Sequence, residues 1–363
     1  MLRQIRTDNP MNTLNSPITN IRSEWISCDG PEKDVVLSTR ARLARNVAGF
    51  AFPTRAKSAD LEAVAAKIIE ASDSLRRIYP DLITINTSSL TEEERSYLVD
   101  AHLASPQQVK PKDGRILLLE SNGRIAIMVN EEDHLRIQAI LPGLQTVKAW
   151  QLVDEIDDCL AEKLEFSASE KLGFLTASLT NLGTGLRISA MMHLGGLAMT
   201  GRLARTIKAA VELDISVRGL FGEGSRGLGD FYQVSNEVTL GAPEMEFAER
   251  VGAVADYLVA EERNARNDLL EAGALRVIRA AQKSIKLIRE AEKLNAKDAL
   301  SLLSPLRVAV CGGLVDGIKL SDLNELMITL GIMRLETPNE RELEQSDRRR
   351  AVMLRRAIRS VVV

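Results

Sequence analysis

From about residue 245 the chain changes character, and this limits the folds open to it more than any other feature. Phe247 to Leu303 is almost free of glycine and proline, carries apolar residues at helical spacing and is laced with charge pairs. Leu320 to Leu330 and Arg341 to Ile358 read as helices too, and Ser301-Leu-Leu-Ser-Pro305 and Cys311-Gly-Gly313 are expected to break the run. The earlier part mixes periods. Val35-Val-Leu37, Ile116-Leu-Leu-Leu119 and Ile125-Ala-Ile-Met-Val129 are strand-like, Ala59 to Arg76 and Leu144 to Leu164 are helical, and Ile188 to Val211 reads as a buried apolar helix. The expected division is a loose polar arm over 1–22, a mixed helix-and-strand region over 23–250 and an α-helical domain over 251–363.

The composition excludes several classes. Apolar residues make up 45% and aromatics only 4%, so the core must be mostly Leu, Val, Ile and Ala. A formal net charge of −3 argues against a wholesale nucleic-acid binder. Cys28, Cys159 and Cys311 match no metal-ligand spacing and suggest a reducing compartment. No apolar segment reads as a leader or a membrane span, so a cytoplasmic location is expected.

Against this background Asn130-Glu-Glu-Asp-His-Leu-Arg136 stands out. Three carboxylates, an imidazole and a guanidinium come directly after the strand-like run 125–129. Crowded carboxylates raise one another's proton affinity, as a general base requires, whereas the bland reading is a solvated turn. Arginines recur beside small residues and turns: Ser38-Thr-Arg-Ala-Arg-Leu-Ala-Arg45, Arg136, Asn181-Leu-Gly-Thr-Gly-Leu-Arg187, and Arg218-Gly-Leu-Phe-Gly-Glu-Gly-Ser-Arg226. In an extended segment Arg40 and Arg42 point to the same side. One such arginine is ordinary, but several at strand ends suggest a polyphosphate clamp made of guanidinium forks. Neither a Walker A loop nor a complete kinase signature set is present, and Gly183-Thr-Gly185 lacks the third glycine of a dinucleotide turn. A nucleotide site would therefore rest on arginines and a metal ion, which suffices for phosphoryl transfer.

The chain resembles the phosphagen (guanidino) kinases, and within them the bacterial protein arginine kinases. The resemblance is carried by Ser38 to Asn46, Asn130 to Gln138, Thr180 to Arg187 and Val217 to Glu223 with Ser235-Asn236, in family order, and by Leu323 to Ile328 and Asp347 to Ala351 near the end. It implies an α+β fold, a curved antiparallel sheet flanked by helices in the glutamine-synthetase-like manner of guanido kinases, with a helical domain after it. It also implies an ATP-dependent transfer of the γ-phosphoryl group to arginine guanidinium groups of proteins, marking them for regulated proteolysis. ATP would be surrounded by Ser38, Thr39, Arg40, Ala41, Arg42, His102, Arg136, Arg187, Ile188, Ser189, Ala190, Met191, Arg218, Gly219, Leu220, Phe221 and Gly222. Glu132 would be the base, Glu223 would hold the acceptor, and Ser178 would stand beside it. Mg²⁺ would come bound to ATP rather than to protein side chains. A lone histidine such as His102 is otherwise most often a packed or surface residue. Implied partners are protein substrates with exposed arginines, Clp-type unfoldase-protease systems with a small activator protein, transcriptional repressors of stress genes, and a second copy joined through the helical domain.

Three positions depart from the family pattern. Ser178 stands where a reactive cysteine is usual, and a hydroxyl supplies no thiolate near neutral pH. Arg226 replaces a frequent glutamate. In the Arg-Asp-x-x-Arg-Ala motif, an allosteric phosphoarginine pocket in the family, Ser346 takes the first place, leaving Asp347 and Arg350 as the candidate contacts. The alternatives are a catalytically weakened homologue that binds nucleotide or phosphoarginine as a regulatory module, and a helix bundle whose basic tail binds polyanions.

Overall fold

A computed structural model describes residues 18, 21, 23–27, 29–219, 227–332 and 340–363. Ten strands are formed: β1 (Val36–Arg45), β2 (Leu82–Asn86), β3 (Ile116–Glu120), β4 (Ile125–Val129), β5 (Leu135–Pro142), β6 (Ala168–Ser169), β7 (Gly173–Phe174), β8 (Leu186–His193), β9 (Ile215–Gly219) and β10 (Phe231–Asn236). Eight of them make one sheet in the order β2-β3-β4-β5-β1-β8-β10-β9, antiparallel throughout, and β6 and β7 form a small hairpin. The helices are α1 (Ser58–Ala71), α2 (Leu75–Ile78), α3 (Glu92–Asp100), α4 (Thr146–Ala161), α5 (Gly195–Thr200), α6 (Leu203–Val211), α7 (Glu244–Glu271), α8 (Leu275–Glu290), α9 (Ala296–Cys311), α10 (Leu320–Ile332) and α11 (Glu340–Ala357).

Strand alternation gives the sheet two unlike faces. On one, Ala41, Leu43, Ile137, Ala139, Leu186, Ile188 and Ala190 are buried with the apolar stripes of α1, α4 and α7. On the other, apolar residues occur only towards the sides. Leu117, Leu119, Ala126 and Met128 pack under α3 together with Ile18 and Ile21. Leu37, Ile140 and Phe231 pack against Trp25 and the helical domain. The middle of this second face is polar, and it carries the site.

Two expectations are corrected. Ile188 to Val211 is not one helix: residues 186–193 form β8 between β1 and β10, and α5 and α6 come after it. β8 does alternate, with Leu186, Ile188, Ala190 and Met192 in the core and Arg187, Ser189 and His193 on the other face, but Met191 and the apolar stretch from Leu194 to Met199 mask that period, and Gly195-Gly196 and Gly201 punctuate the stretch after β8. Ser301 to Pro305 does not break the chain either but lies inside α9, where Leu303, Ser304, Leu306 and Arg307 are buried. Burial outweighs the hydrogen bond that Pro305 forfeits. Gly312 and Gly313 do end that helix. A continuous α7 runs through the boundary expected at residue 250, its first half buried against the sheet and Leu269 in the helical core. The arm over 1–22 lies outside the described residues apart from Ile18 and Ile21.

Candidate active site

Residues directly opposite one another in an antiparallel pair put their side chains on the same face. Arg42 lies opposite Gln138 of β5 and Arg187 of β8, and Arg40 lies opposite Ile140 and Ser189. Arg136 occupies the Gln138 side of β5, and Arg218 lies opposite Gln233, which is itself opposite Met191. Arg40, Arg42, Arg136 and Arg187 therefore share the polar middle of one face, and Arg218 lies on the same face at the β9 edge. The even spacing of Arg40 and Arg42, legible in the sequence, is what turns both the same way.

Arg40, Arg42 and Arg187 are short of counter-charge, whereas Arg136 pairs with Glu131 and Glu132 and the exposed Arg218 lies 3.7 Å from Glu237. Arg40 donates through Nε to Gln138 Oε1 at 2.7 Å, and a second donor of the same fork reaches that oxygen too. Arg42 has no hydrogen-bond or ion-pair partner among the described residues, and the buried Nε of Arg187 has none. Burial first, then repulsion from Arg136 and Arg187, lowers the pKa of Arg40 to about 10, with Glu131 opposing. Arg42 is pushed well below the usual range by burial and by Arg40, Arg136 and Arg187. Half-buried, mutually repelling cations with unused donors form a hole for a polyanion. His102 borders it: its carbonyl accepts from Gln138 Nε2 at 2.8 Å, its ring tilts against Trp25 at 5.6 Å, and burial next to Arg40 lowers its pKa to about 4. Its imidazole is thus neutral at pH 7.

The acidic turn Asn130–His134 joins β4 to β5 and sorts its side chains. Asn130 takes a positive φ of 57°, and its N–H donates to the carbonyl of His134 at 3.0 Å. Glu131 turns inward, 2.7 Å from Arg136, and accepts from Ser105 Oγ at 2.5 Å. Asp133 is buried and accepts from Asn46 Nδ2 at 2.7 Å and from the Ala177 N–H at 2.6 Å. His134 also faces inward: its Nδ1 accepts from the Val47 N–H at 3.1 Å, Nε2 lies 3.1 Å from the Ala51 carbonyl, and Phe50 and Phe52 meet the ring edge-on. Burial lowers its pKa to about 4, so it is a packed neutral histidine. Only Glu132 faces outward, with 42% of its side chain exposed and Oε2 at 3.3 Å from Arg136. Glu132 therefore lies beside the arginine cluster, joined to it through Arg136.

The other expected residues divide between the cluster, the core and the helical domain. Ser38 shares the cluster face, whereas Thr39, Ala41, Ile188 and Ala190 face the apolar core, and Thr39 Oγ1 donates to the Gly143 carbonyl. Ser189 and Met191 alternate back towards the cluster. Ser178 lies on the segment that the Ala177–Asp133 bond ties to the acidic turn, with Oγ at 2.8 Å from Thr180 Oγ1. Gly219 ends β9. Leu220, Phe221, Gly222, Glu223 and Arg226 lie outside the described residues. Asp347 and Arg350 are on α11, in the helical domain. Arg350 is 1% exposed and donates to Asp347 at 2.5 Å and to the Leu294 carbonyl at 2.8 Å. Gln138, Ser105, Asn46 and the bridging part of Asp133 escaped the sequence reading, although Gln138 shares the strand parity of Arg136.

Comparison with known proteins agrees with this geometry. Residues 63–265 match the model for the ATP:guanido phosphotransferase C-terminal catalytic domain, and residues 276–362 match that for the protein-arginine kinase McsB C-terminal domain. The protein-arginine kinase of Halothermothrix orenii is 38% identical over 342 residues, covering 92% of this chain and 97% of its own. That of Pelotomaculum thermopropionicum is 37% identical over 355 residues, covering 97% of this chain and 100% of its own. Among solved structures lombricine kinase superposes with a TM-score of 0.56 at 23% identity, over 70% of this chain and 73% of its own, which speaks for the fold. The chain belongs to the ATP:guanido phosphotransferase family, in its protein-arginine kinase branch.

Proposed function

We propose that this protein transfers the γ-phosphoryl group of ATP to arginine side chains of other proteins. The observation that carries the reading is the juxtaposition of under-compensated arginines with one outward-facing carboxylate, Glu132, through Arg136. Arg40, Arg42, Arg136, Arg187 and Arg218 grip the triphosphate, Ser38 and Ser189 add hydroxyl donors, and neutral His102 lies at the edge of the cluster. An acceptor guanidinium enters beside Glu132. One of its nitrogens gives its proton to Glu132 as it bonds to the γ-phosphorus. The bond from that phosphorus to the β–γ bridging oxygen breaks, and ADP leaves with the electron pair. The arginine forks hold the developing charge on the equatorial oxygens. Mg²⁺ would arrive bound to the ATP phosphates and neutralise part of their charge.

The test is incubation with ATP, Mg²⁺ and an unfolded arginine-rich protein, read as acid-labile protein phosphate. Transfer to free arginine alone would move the activity to small guanidines. Glu132→Gln should lower turnover by about 10²–10⁴-fold with ATP affinity kept, and loss of ATP binding instead would make Glu132 structural. The protein-arginine kinase relatives support a protein acceptor; a role in marking proteins for Clp-type proteolysis in the cytoplasm and a homodimer through the helical domain extend the proposal on the family resemblance alone. A second reading, a slow or silent homologue acting as a nucleotide-binding regulator, is favoured by Ser178 in the place of the family thiol. Turnover that appears only on Ser178→Cys would select it.

A further inference from the structure

Asp133 has no part in the transfer just described, yet its placement is specific. It is 2% exposed, in the same turn as Glu132. A single oxygen, Oδ1, receives two donors: Asn46 Nδ2 at 2.7 Å and the Ala177 N–H at 2.6 Å. The same Asn46 amide donates to the Leu175 carbonyl at 3.1 Å, and its Oδ1 accepts from the His134 N–H at 2.9 Å. Asn46 comes directly after β1, which carries Arg40 and Arg42. Three segments thus meet at one carboxylate: the end of the phosphate-gripping strand, the turn bearing Glu132, and the 175–178 segment bearing Ser178. Elsewhere the Leu175 N–H donates to the Ser167 carbonyl at 2.8 Å and Thr176 Oγ1 to the Ser178 carbonyl at 2.8 Å, so Asp133 is the contact that joins this segment to the turn bearing Glu132, while its neighbours Leu179 and Thr180 are exposed.

We propose that Asp133, with Asn46, is the positioning residue that sets the Ser178 segment against Glu132 and so fixes where the acceptor guanidinium sits. This rests on the reading that Glu132 and Ser178 face the acceptor. Both contacts to Asp133 need an acceptor oxygen rather than a charge, so an amide of the same shape preserves them and a methyl group does not.

Three variants in the full chain test it. Asp133→Ala should raise KM for the protein acceptor about tenfold while KM for ATP stays within about twofold, and Asp133→Asn should restore most of the loss. Equal damage from Ala and Asn would mean that the charge acts directly, and a rise in the ATP KM would mean general disruption; either overturns the proposal. In a Ser178→Ala background, Asp133→Ala should cost clearly less than it does alone, because its effect passes through that segment; additive effects would sink the idea. Independently of turnover, amide exchange in the peptide over 174–181 should speed up about tenfold in Asp133→Ala, with the peptide over 36–45 unchanged. Unchanged exchange at 174–181 overturns the tether even where transfer is lost. Should Glu132→Gln keep full transfer, the assignment of the base fails, and the exchange result still judges the tether.

Discussion

Two arginine-rich regions of this molecule, about one strand length apart along β1 and β8, behave as opposites. At the seam between the sheet and the helical domain every guanidinium is spent. Arg307 donates to the carbonyls of Asp34 and Lys33, to Asn324 Oδ1 and to His193 Nδ1. Arg266 bonds Glu262 and Asp34, and Glu262 in turn accepts from the N–H groups of Gly196 and Leu197 at the start of α5. On the polar middle of the sheet face, Arg40, Arg42 and Arg187 share one glutamine, one serine and little else. The seam arginines are structural because their acceptors are built in. On the proposed function the cluster arginines take acceptors that arrive from outside. Arg266 and Arg307 are buried whereas Arg40, Arg42 and Arg187 are half-buried, and partner count sets the two groups further apart.

Three measurements put this contrast at risk. The greatest change is expected at the seam: Arg266→Met leaves the buried Glu262 without its cation and should cost about 3–5 kcal/mol of stability, read as the urea midpoint, with Glu262→Gln in the same chain recovering part of it. A neutral result would make the seam no different from the cluster. Next, Arg42→Ala should leave stability unchanged or raised, since it relieves repulsion from Arg40, Arg136 and Arg187. It should also weaken ATP binding by about 1.5–3 kcal/mol, the value of a hydrogen bond to a charged group, measured by calorimetry. A destabilised Arg42→Ala that still binds ATP normally would reverse the assignment.

The mildest change is with pH. His193 lies in the seam between Arg307 and Ser304, and burial, then repulsion from Arg307 and Arg266, holds its pKa well below 6.5. As pH falls below 6.5 the unfolded chain binds a proton that the folded chain refuses, so stability present above pH 6.5 is lost at about 1.4 kcal/mol per pH unit. His134 adds the same loss down to about pH 4. Asp157, raised by burial to about 6 against the pull of Arg45, works in the opposite sense between pH 6 and 3.8. Urea midpoints at pH 6.5 and 5.5, in the wild type and in His193→Gln, isolate the seam histidine: the variant should show the shallower fall.

Part of the site was legible in the chain. Two arginines two residues apart on a strand must share a face, and a run of acids after an apolar strand must occupy its end, so Arg40, Arg42, Arg136 and the acidic run 131–133 emerged from periodicity and charge, while the choice of Glu132 within that run came from the family resemblance. Periodicity failed for Ile188 to Val211 because the alternation of β8 runs straight into the apolar helix that follows it, so the two read as one helical stretch. It failed as well at Pro305, where burial overrode the local signal. Gln138 and Asp133 stayed hidden because their roles depend on partners 98 and 44 residues away in sequence.

Local patterning was enough for the strands at 116–120 and 125–129, for the helical character of the last third, and for the charge types available to the site, since these depend on neighbours within a turn or a strand. Which carboxylate of Glu131, Glu132 and Asp133 faces outward, and which arginines lack a partner, was settled only when the chain folded. Both are matters of strand register and of contacts between distant segments, and the order of residues along a strand does not encode them.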